Sequence, residues 1–281
     1  MSVLMLAAGV AWAGACCVGS TSTVPTRLGE CERFLVGTAV AVEDGSTRWD
    51  SEGQVQRSSL RDQAVVTTLA AAYAWDRAGQ IGVVLPVRMQ RRTAAGLVGT
   101  AGGVGDARVI ATWDPISERP RAAEGTAWPV PVLTGGVRLS TGTDWTESDD
   151  PLMTDVTGLP GGAVVAGLSF ERTMDATPWS LGVQEELGRV DGGWTPTTRV
   201  LGSVGRYVGR RWSVAATGTH QRTAEAPDVR AVRTRAGLRV AVGKPVRWRA
   251  WAGAEQDLPL HGFGRDNPIG TQIGVGALVV R

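Results

Sequence analysis

A chain of 281 residues has the length of one large domain or two ordinary ones, and 43% hydrophobic with 20% charged residues marks a folded chain rather than a disordered one. A net charge of +2 excludes a dominant charge field, and the basic cluster that a nucleic-acid binder needs is missing. The unusual features are 38 Gly, 11 Trp and cations that are arginine throughout except for Lys244; a GC-rich coding bias accounts for the arginine but not for where the tryptophans sit.

Residues 1–18 carry no charge and begin their apolar run at Val3-Leu4-Met5-Leu6. The run closes on overlapping small-x-small sites, Ala11-Trp12-Ala13 and Ala13-Gly14-Ala15, which is the pattern of an export signal over 1–15. It is too short and too rich in Gly and Ala for a helical span. No Lys or Arg precedes it, so the true start is expected upstream. Residues 16–32 then read as a periplasmic segment or plug. Cys16, Cys17 and Cys31 are the only cysteines, and in an oxidising compartment Cys31 is expected to pair with Cys17 or Cys16. A lipid anchor at Cys16 is the weaker reading, because Ala13 stands where a larger aliphatic residue is expected. His220 and His261 are too distant to complete a metal set with these cysteines, and no cofactor is expected.

From residue 33 onward helical spacing does not persist, and period two does. The alternating segments are 33–43, 64–75, 80–90, 105–114, 127–142, 162–174, 178–190, 197–208, 211–222, 230–242, 246–256 and 270–280. In 162–174 the run Val164-Val165-Ala166-Gly167-Leu168-Ser169-Phe170-Glu171 alternates, and 178–190 does so with Glu185 out of step. In 230–242 the even positions from Val232 to Val242 are apolar or Thr, while Arg233, Arg235 and Arg239 share the other face. In 246–256 Trp248, Ala250 and Ala252 face away from Arg247 and Arg249. Successive strand side chains point to opposite sides, so each segment has one greasy and one polar or small face. Ten to twelve residues is the length of a tilted strand crossing a bilayer, about twice that of a soluble strand.

Connections alternate as well. Those at 44–63, 91–104, 143–161 and 257–269 are long and rich in Gly, Asp, Thr and Pro; those at 76–79, 175–177, 209–210 and 243–245 are short. On an antiparallel meander this puts long loops at one rim and short turns at the other. The links at 115–124, 191–196 and 223–228 fit less well. Trp75 and Trp113 end strands that enter short connections, and Trp128, Trp179, Trp212 and Trp248 begin strands that leave them, so all six fall at one rim as a membrane-interface girdle. These signals together give an all-β fold over 33–281: a closed antiparallel up-and-down transmembrane β-barrel of about twelve strands, of outer-membrane type. A β-propeller would repeat the Asp-box-like Asp44-Gly45-Ser46-Thr47-Arg48-Trp49, which occurs once, and a two-sheet sandwich would not sort its loops by length.

Three local motifs carry a family likeness. Gly102-Gly103-Val104-Gly105-Asp106 enters a strand, Gly136-Val137-Arg138-Leu139-Ser140-Thr141-Gly142 leads into an acidic loop at 144–155, and Thr157-Gly158 precedes the strand at 162–171. Over 102–173 this order resembles the outer-membrane proteins encoded with phenol meta-pathway degradation operons, a transporter family of about this length. Ser140 stands where those proteins have proline. The resemblance implies passage of small molecules, hydrophobic ones among them, across the outer membrane of a Gram-negative bacterium, and it brings no catalytic residues.

With the apolar face outward, the lumen set is Arg233, Arg235, Arg239, Arg247 and Arg249 with Glu171, Glu186 and Glu255. One reading is a structural Arg–Glu ladder; the other is a basic wall that favours anionic or polar solutes. Glycines at 182, 237, 253, 274 and 276 are expected to leave room inside or to let the wall curve, and residues 16–32 or 44–63 to narrow the pore. The expected partners are the lipid bilayer, a small solute and the barrel-assembly machinery, with oligomeric state open. Two rival readings are a structural or surface-recognition barrel without transport, and an outer-membrane hydrolase using His220 or His261. The hydrolase lacks a marked nucleophile near either histidine.

Overall fold

Period-two patterning over ten or more residues needs two different surroundings, and the fold supplies them by rolling one sheet into a ring. The structure is a computed structural model that describes residues 28, 32–49, 54–57, 61–76, 78–115, 129–144, 147–159, 161–174, 177–190, 193–209, 211–223, 232–244, 247–258 and 268–281. Its strands are β1 Phe34–Trp49, β2 Val55–Arg57, β3 Arg61–Ala74, β4 Gly79–Ala94, β5 Leu97–Val104, β6 Ala107–Trp113, β7 Val130–Leu139, β8 Ala163–Met174, β9 Thr177–Val190, β10 Gly193–Val208, β11 Trp212–Thr223, β12 Val232–Lys244, β13 Trp248–Asp257 and β14 Pro268–Val280. β2 pairs only with β1, and β5 only with β4. The other twelve form a closed antiparallel barrel. Closure joins first strand to last, from Leu35 opposite Val280 to Arg48 opposite Pro268. At the same rim Arg33 and Phe34 donate their N–H groups to the Arg281 carbonyl at 2.7 and 3.0 Å.

The two faces separate as the alternation requires. Val36, Val40 and Val42 on β1, Val65, Leu69 and Tyr73 on β3, Leu181, Val183 and Leu187 on β9, and Ile273, Val275 and Val279 on β14 are all exposed on the outside. Their neighbours Leu35, Ala39, Ala41, Ala64, Ala70, Ala72, Glu186, Gln272 and Leu278 are buried on the inside. Glu185 stays out of step, on the exterior, where it accepts a 2.6 Å hydrogen bond from the Thr198 hydroxyl.

Two connections differ from the reading of them as loops. The stretch 91–104 is a hairpin: β4 and β5 remain paired up to Ala94 opposite Leu97, and Ala95 (φ 50) with Gly96 (φ 83) closes a two-residue turn. Two consecutive positive φ values give the twist that matches antiparallel strands, so the ladder continues beyond the ring. Likewise 44–49 belong to β1 and 55–57 form β2, with a register shift between Asp44 and Thr47, so the Asp-box-like stretch is a bulge within β1. Pairing of Val190 with Gly193 also leaves only two residues between β9 and β10.

Glycine inside the wall makes way for neighbours instead of leaving empty room. A Cβ on Gly276 would overlap the Trp251 ring, and one on Gly237 would lie 2.5 Å from Glu255 Cγ. Gly79, at the β3–β4 turn, is covered in the same way by Trp75.

Candidate functional site: the charged interior

Strands β6 to β10 build the most buried charge cluster. Arg108 and Arg138 stand directly opposite each other across the β6–β7 ladder, an arrangement that like charges adopt only when an anion intervenes. Glu186 is that anion. Its Oε1 accepts from Arg138 Nε at 2.8 Å, and its Oε2 accepts from Arg199 Nη1 at 2.8 Å and Arg108 Nη2 at 3.3 Å. Arg138 crosses β8 to reach it, passing Gly188, where a Cβ would sit 3.2 Å from Arg138 Nη2. The Arg138 and Glu186 side chains are only 3% and 4% exposed, so the pair sits where charge is costly unless satisfied.

The other end of Arg138 anchors a loop. Its Nη1 donates to Asp106 Oδ2 at 2.7 Å and to the carbonyls of Gly161 and Leu159 at 3.1 and 3.3 Å. Asp106 in turn accepts the Leu159 and Gly142 N–H groups at 2.9 and 3.2 Å. Thr141 and Thr157 donate their hydroxyls to the carbonyls of Gly105 and Val104, both at 2.7 Å. These carbonyls lie where β5 has run beyond β7, so the β7–β8 connection caps an open strand edge. The same connection covers the inner face of the β4–β5 hairpin: Thr154 and Leu152 lie over Gly99, and Arg92 Nη1 donates to the carbonyls of Leu152 and Met153 at 3.1 Å. Within it, the Thr154 hydroxyl and the N–H groups of Leu152 and Thr154 hold the Asp150 carboxyl below the usual carboxylate range. This connection thus lies over the inner face of the hairpin, whereas 44–49 and 55–57 are strand.

A second hub is Asp257, which sequence parity did not single out. Arg233 grips it bidentately at 2.7 and 2.9 Å, and Arg235 Nε donates to Oδ1 at 2.8 Å. Arg235 Nη1 also reaches Gln272 Oε1 at 3.1 Å. Nearer the short turns, Arg249 is ion-paired with Glu32, and the Arg239 guanidinium lies 4.7 Å from the centroid of the Trp251 ring. Arg247 is exposed at that rim. Glu171 and Glu255 are buried inside, at 8% and 5% exposure. On β4, Arg88 pairs with Glu43 at 3.2 Å.

Sequence reading thus named one member of the first cluster, Glu186, and missed Arg108, Arg138, Arg199 and Asp106. Parity could have found the arginines, since Arg138 lies between Val137 and Leu139, and Arg199 between Thr198 and Val200. Of the six girdle tryptophans, Trp75, Trp113, Trp212 and Trp248 are exposed on the outside near the short turns, and Trp179 is half-buried beside Val204. Trp194, which falls within the link read at 191–196, lies in β10 opposite Arg189 and is exposed. His220 Nδ1 is 2.9 Å from the Thr234 hydroxyl, on the face shared with Val214 and Ala216. Trp128, His261 and the cysteines at 16, 17 and 31 lie outside the described residues. Among the described residues no group of three or more His, Cys, Asp or Glu side chains is placed to hold a metal.

The fold defines a class: the closed antiparallel barrels of bacterial outer membranes. No family model and no curated protein matches this sequence. Among solved structures the chain is similar to an outer membrane channel from Pseudomonas putida F1, at TM-score 0.67 and 13% identity over 94% of this chain and 98% of that one. It is also similar to the translocator domain of the autotransporter NalP from Neisseria meningitidis, at TM-score 0.52 and 12% identity over 88% of each chain. The β domain of the Bordetella autotransporter BrkA gives TM-score 0.52 and 13% identity, over 88% of this chain and 99% of that one. At these identities the likeness is one of fold.

Proposed function

We propose that this chain is an outer-membrane channel that passes small solutes, hydrophobic or anionic, through a narrow barrel lumen. The observation that carries the reading is the sorting of faces around a closed ring. Exposed Val, Leu, Ile and Phe surround it on the outside, while Arg, Glu, Asp and Gln project inward. An apolar exterior of this extent is far larger than the patches a soluble monomer exposes, and lipid is the solvent that suits it. The exposed tryptophans near the short turns suit a headgroup interface, with the short turns periplasmic. Arginines 233, 235, 239, 247 and 249 with Glu171, Glu186 and Glu255 then line the lumen. The pairing of Arg249 with Glu32 and of Arg233 and Arg235 with Asp257 supports a ladder that braces the wall. The resemblance over 102–173 to the phenol meta-pathway outer-membrane proteins agrees with a small-solute channel. A catalytic reading has less support, because His220 lies on the outer face of β11, the face of Val214 and Ala216.

Reconstitution in planar bilayers tests this. The folded protein is expected to conduct, and Arg239→Glu combined with Arg249→Glu to move the reversal potential in a salt gradient toward cation preference. A folded barrel that passes neither ions nor small sugars would favour a structural or recognition role.

A further inference from the structure

The interior near the short turns already holds part of its own chain. Leu28 is buried among Leu35, Ala70, Ala72, Trp251, Leu278 and Val280. Its N–H donates to Gln80 Oε1 at 2.8 Å, and Gln80 Nε2 donates to the Thr112 hydroxyl at 2.7 Å. Four residues on, the Glu32 carboxylate, 4% exposed, is ion-paired with Arg249. The wall thus presents an apolar floor beside a guanidinium, and what occupies it is an apolar side chain joined to a carboxylate. Arg249 and Trp251 are two residues apart on β13, so they share a face with about 7 Å between them. Trp251 is 5% exposed, and among the described residues its indole N–H has no hydrogen-bond partner. A buried donor left without an acceptor is costly. The present occupant covers the floor with an apolar side chain and answers the guanidinium with a carboxylate.

We propose that this pocket is a binding station for solutes that join an apolar body to a carboxylate, and that Leu28 and Glu32 stand in for such a solute. This deepens the channel reading and rests on it for the route by which solute arrives. A carboxylate has two oxygens and about four lone-pair sites, enough to accept two parallel N–H bonds from the Arg249 guanidinium. The apolar body takes the floor used by Leu28. A tethered occupant competes at an effective concentration in the millimolar range, so free carboxylates bind weakly until it is weakened.

Calorimetric titration of the refolded full-length barrel in detergent tests the station without relying on ion flow. Benzoate is the probe and benzyl alcohol the uncharged control; a heat-modifiable gel shift confirms that each variant is folded. Leu28→Ala with Glu32→Gln is expected to bind benzoate about tenfold more tightly than the native chain, the gain from removing a tethered competitor whose effective concentration is about ten times its own dissociation constant. Benzyl alcohol is expected to gain much less, and Arg249→Gln to lose benzoate binding. Equal affinity of native and double variant for benzoate, or an equal gain for benzyl alcohol, would overturn the station. If Arg249→Gln does not fold, the comparison of the two probes on the double variant still decides. Benzoate binding without conductance would retain the station and reject the channel; conductance without benzoate binding would do the reverse.

Discussion

Replacing Glu186 by alanine is expected to destabilise the barrel by about 3–5 kcal/mol, the cost of leaving buried charge without its partner. One carboxylate answers Arg138, Arg199 and Arg108, and two of those arginines face each other across a ladder. Without it, three guanidiniums converge on one volume, and Arg138, with 3% of its side chain exposed, has little water to screen it. Glu43→Ala is the matched control, because the Glu43 and Arg88 side chains are 25% and 31% exposed. That change is expected to cost about 1 kcal/mol or less. Urea titration of the heat-modifiable folded band measures both. Concentrated salt is expected to restore part of the Glu186→Ala loss, since anions can enter the vacated space. Equal midpoints for the two variants would show that the Glu186 cluster does not hold the wall.

Asp106→Ala is expected to free the β7–β8 connection while leaving the ring closed. The carboxylate holds that connection through the N–H groups of Leu159 and Gly142, and it fixes Arg138, whose Nη1 also reaches the carbonyls of Leu159 and Gly161. Hydrogen bonds to a charged group contribute about 1.5–3 kcal/mol each, so losing two shifts the docked–released balance by roughly a hundredfold or more. Proteolysis within 144–159 should accelerate to match, and single-channel conductance should rise several-fold as the inner face of the β4–β5 hairpin is uncovered. Unchanged proteolysis would mean that Thr141, Thr157 and Arg92 suffice to hold the connection.

The strands were legible because each one divides two different surroundings. The alternating stretch at 162–174 is β8 at Ala163–Met174, and 270–280 is β14 at Pro268–Val280. Legibility ended at two places. At the long-loop rim, 91–104 continues as ladder because Ala95-Gly96 makes a tight turn, and composition alone does not separate a Gly-rich hairpin from a Gly-rich loop. In the interior, parity gives the side of the wall but not the height. Arg138 meets Glu186 only because of the register of β7, β8 and β9, which the alternation leaves free. The glycine at 276 was read as space, and the space belongs to Trp251. The Gly-x-Gly-Asp segment was visible as a motif, yet the work of Asp106 shows only once the connection that follows β7 has folded back over it.

The most direct test of a lipid-facing exterior around a watery charged interior is residue-by-residue accessibility along β11. In a background lacking Cys16, Cys17 and Cys31, single cysteines at 214 to 219 are reconstituted in vesicles and probed with a membrane-impermeant maleimide, then with a lipid-bound quencher against a fluorophore attached at the same positions. Positions 215, 217 and 219 are predicted to react from water, and 214, 216 and 218 to be quenched from lipid. Both series responding alike, or in the opposite sense, would contradict the account.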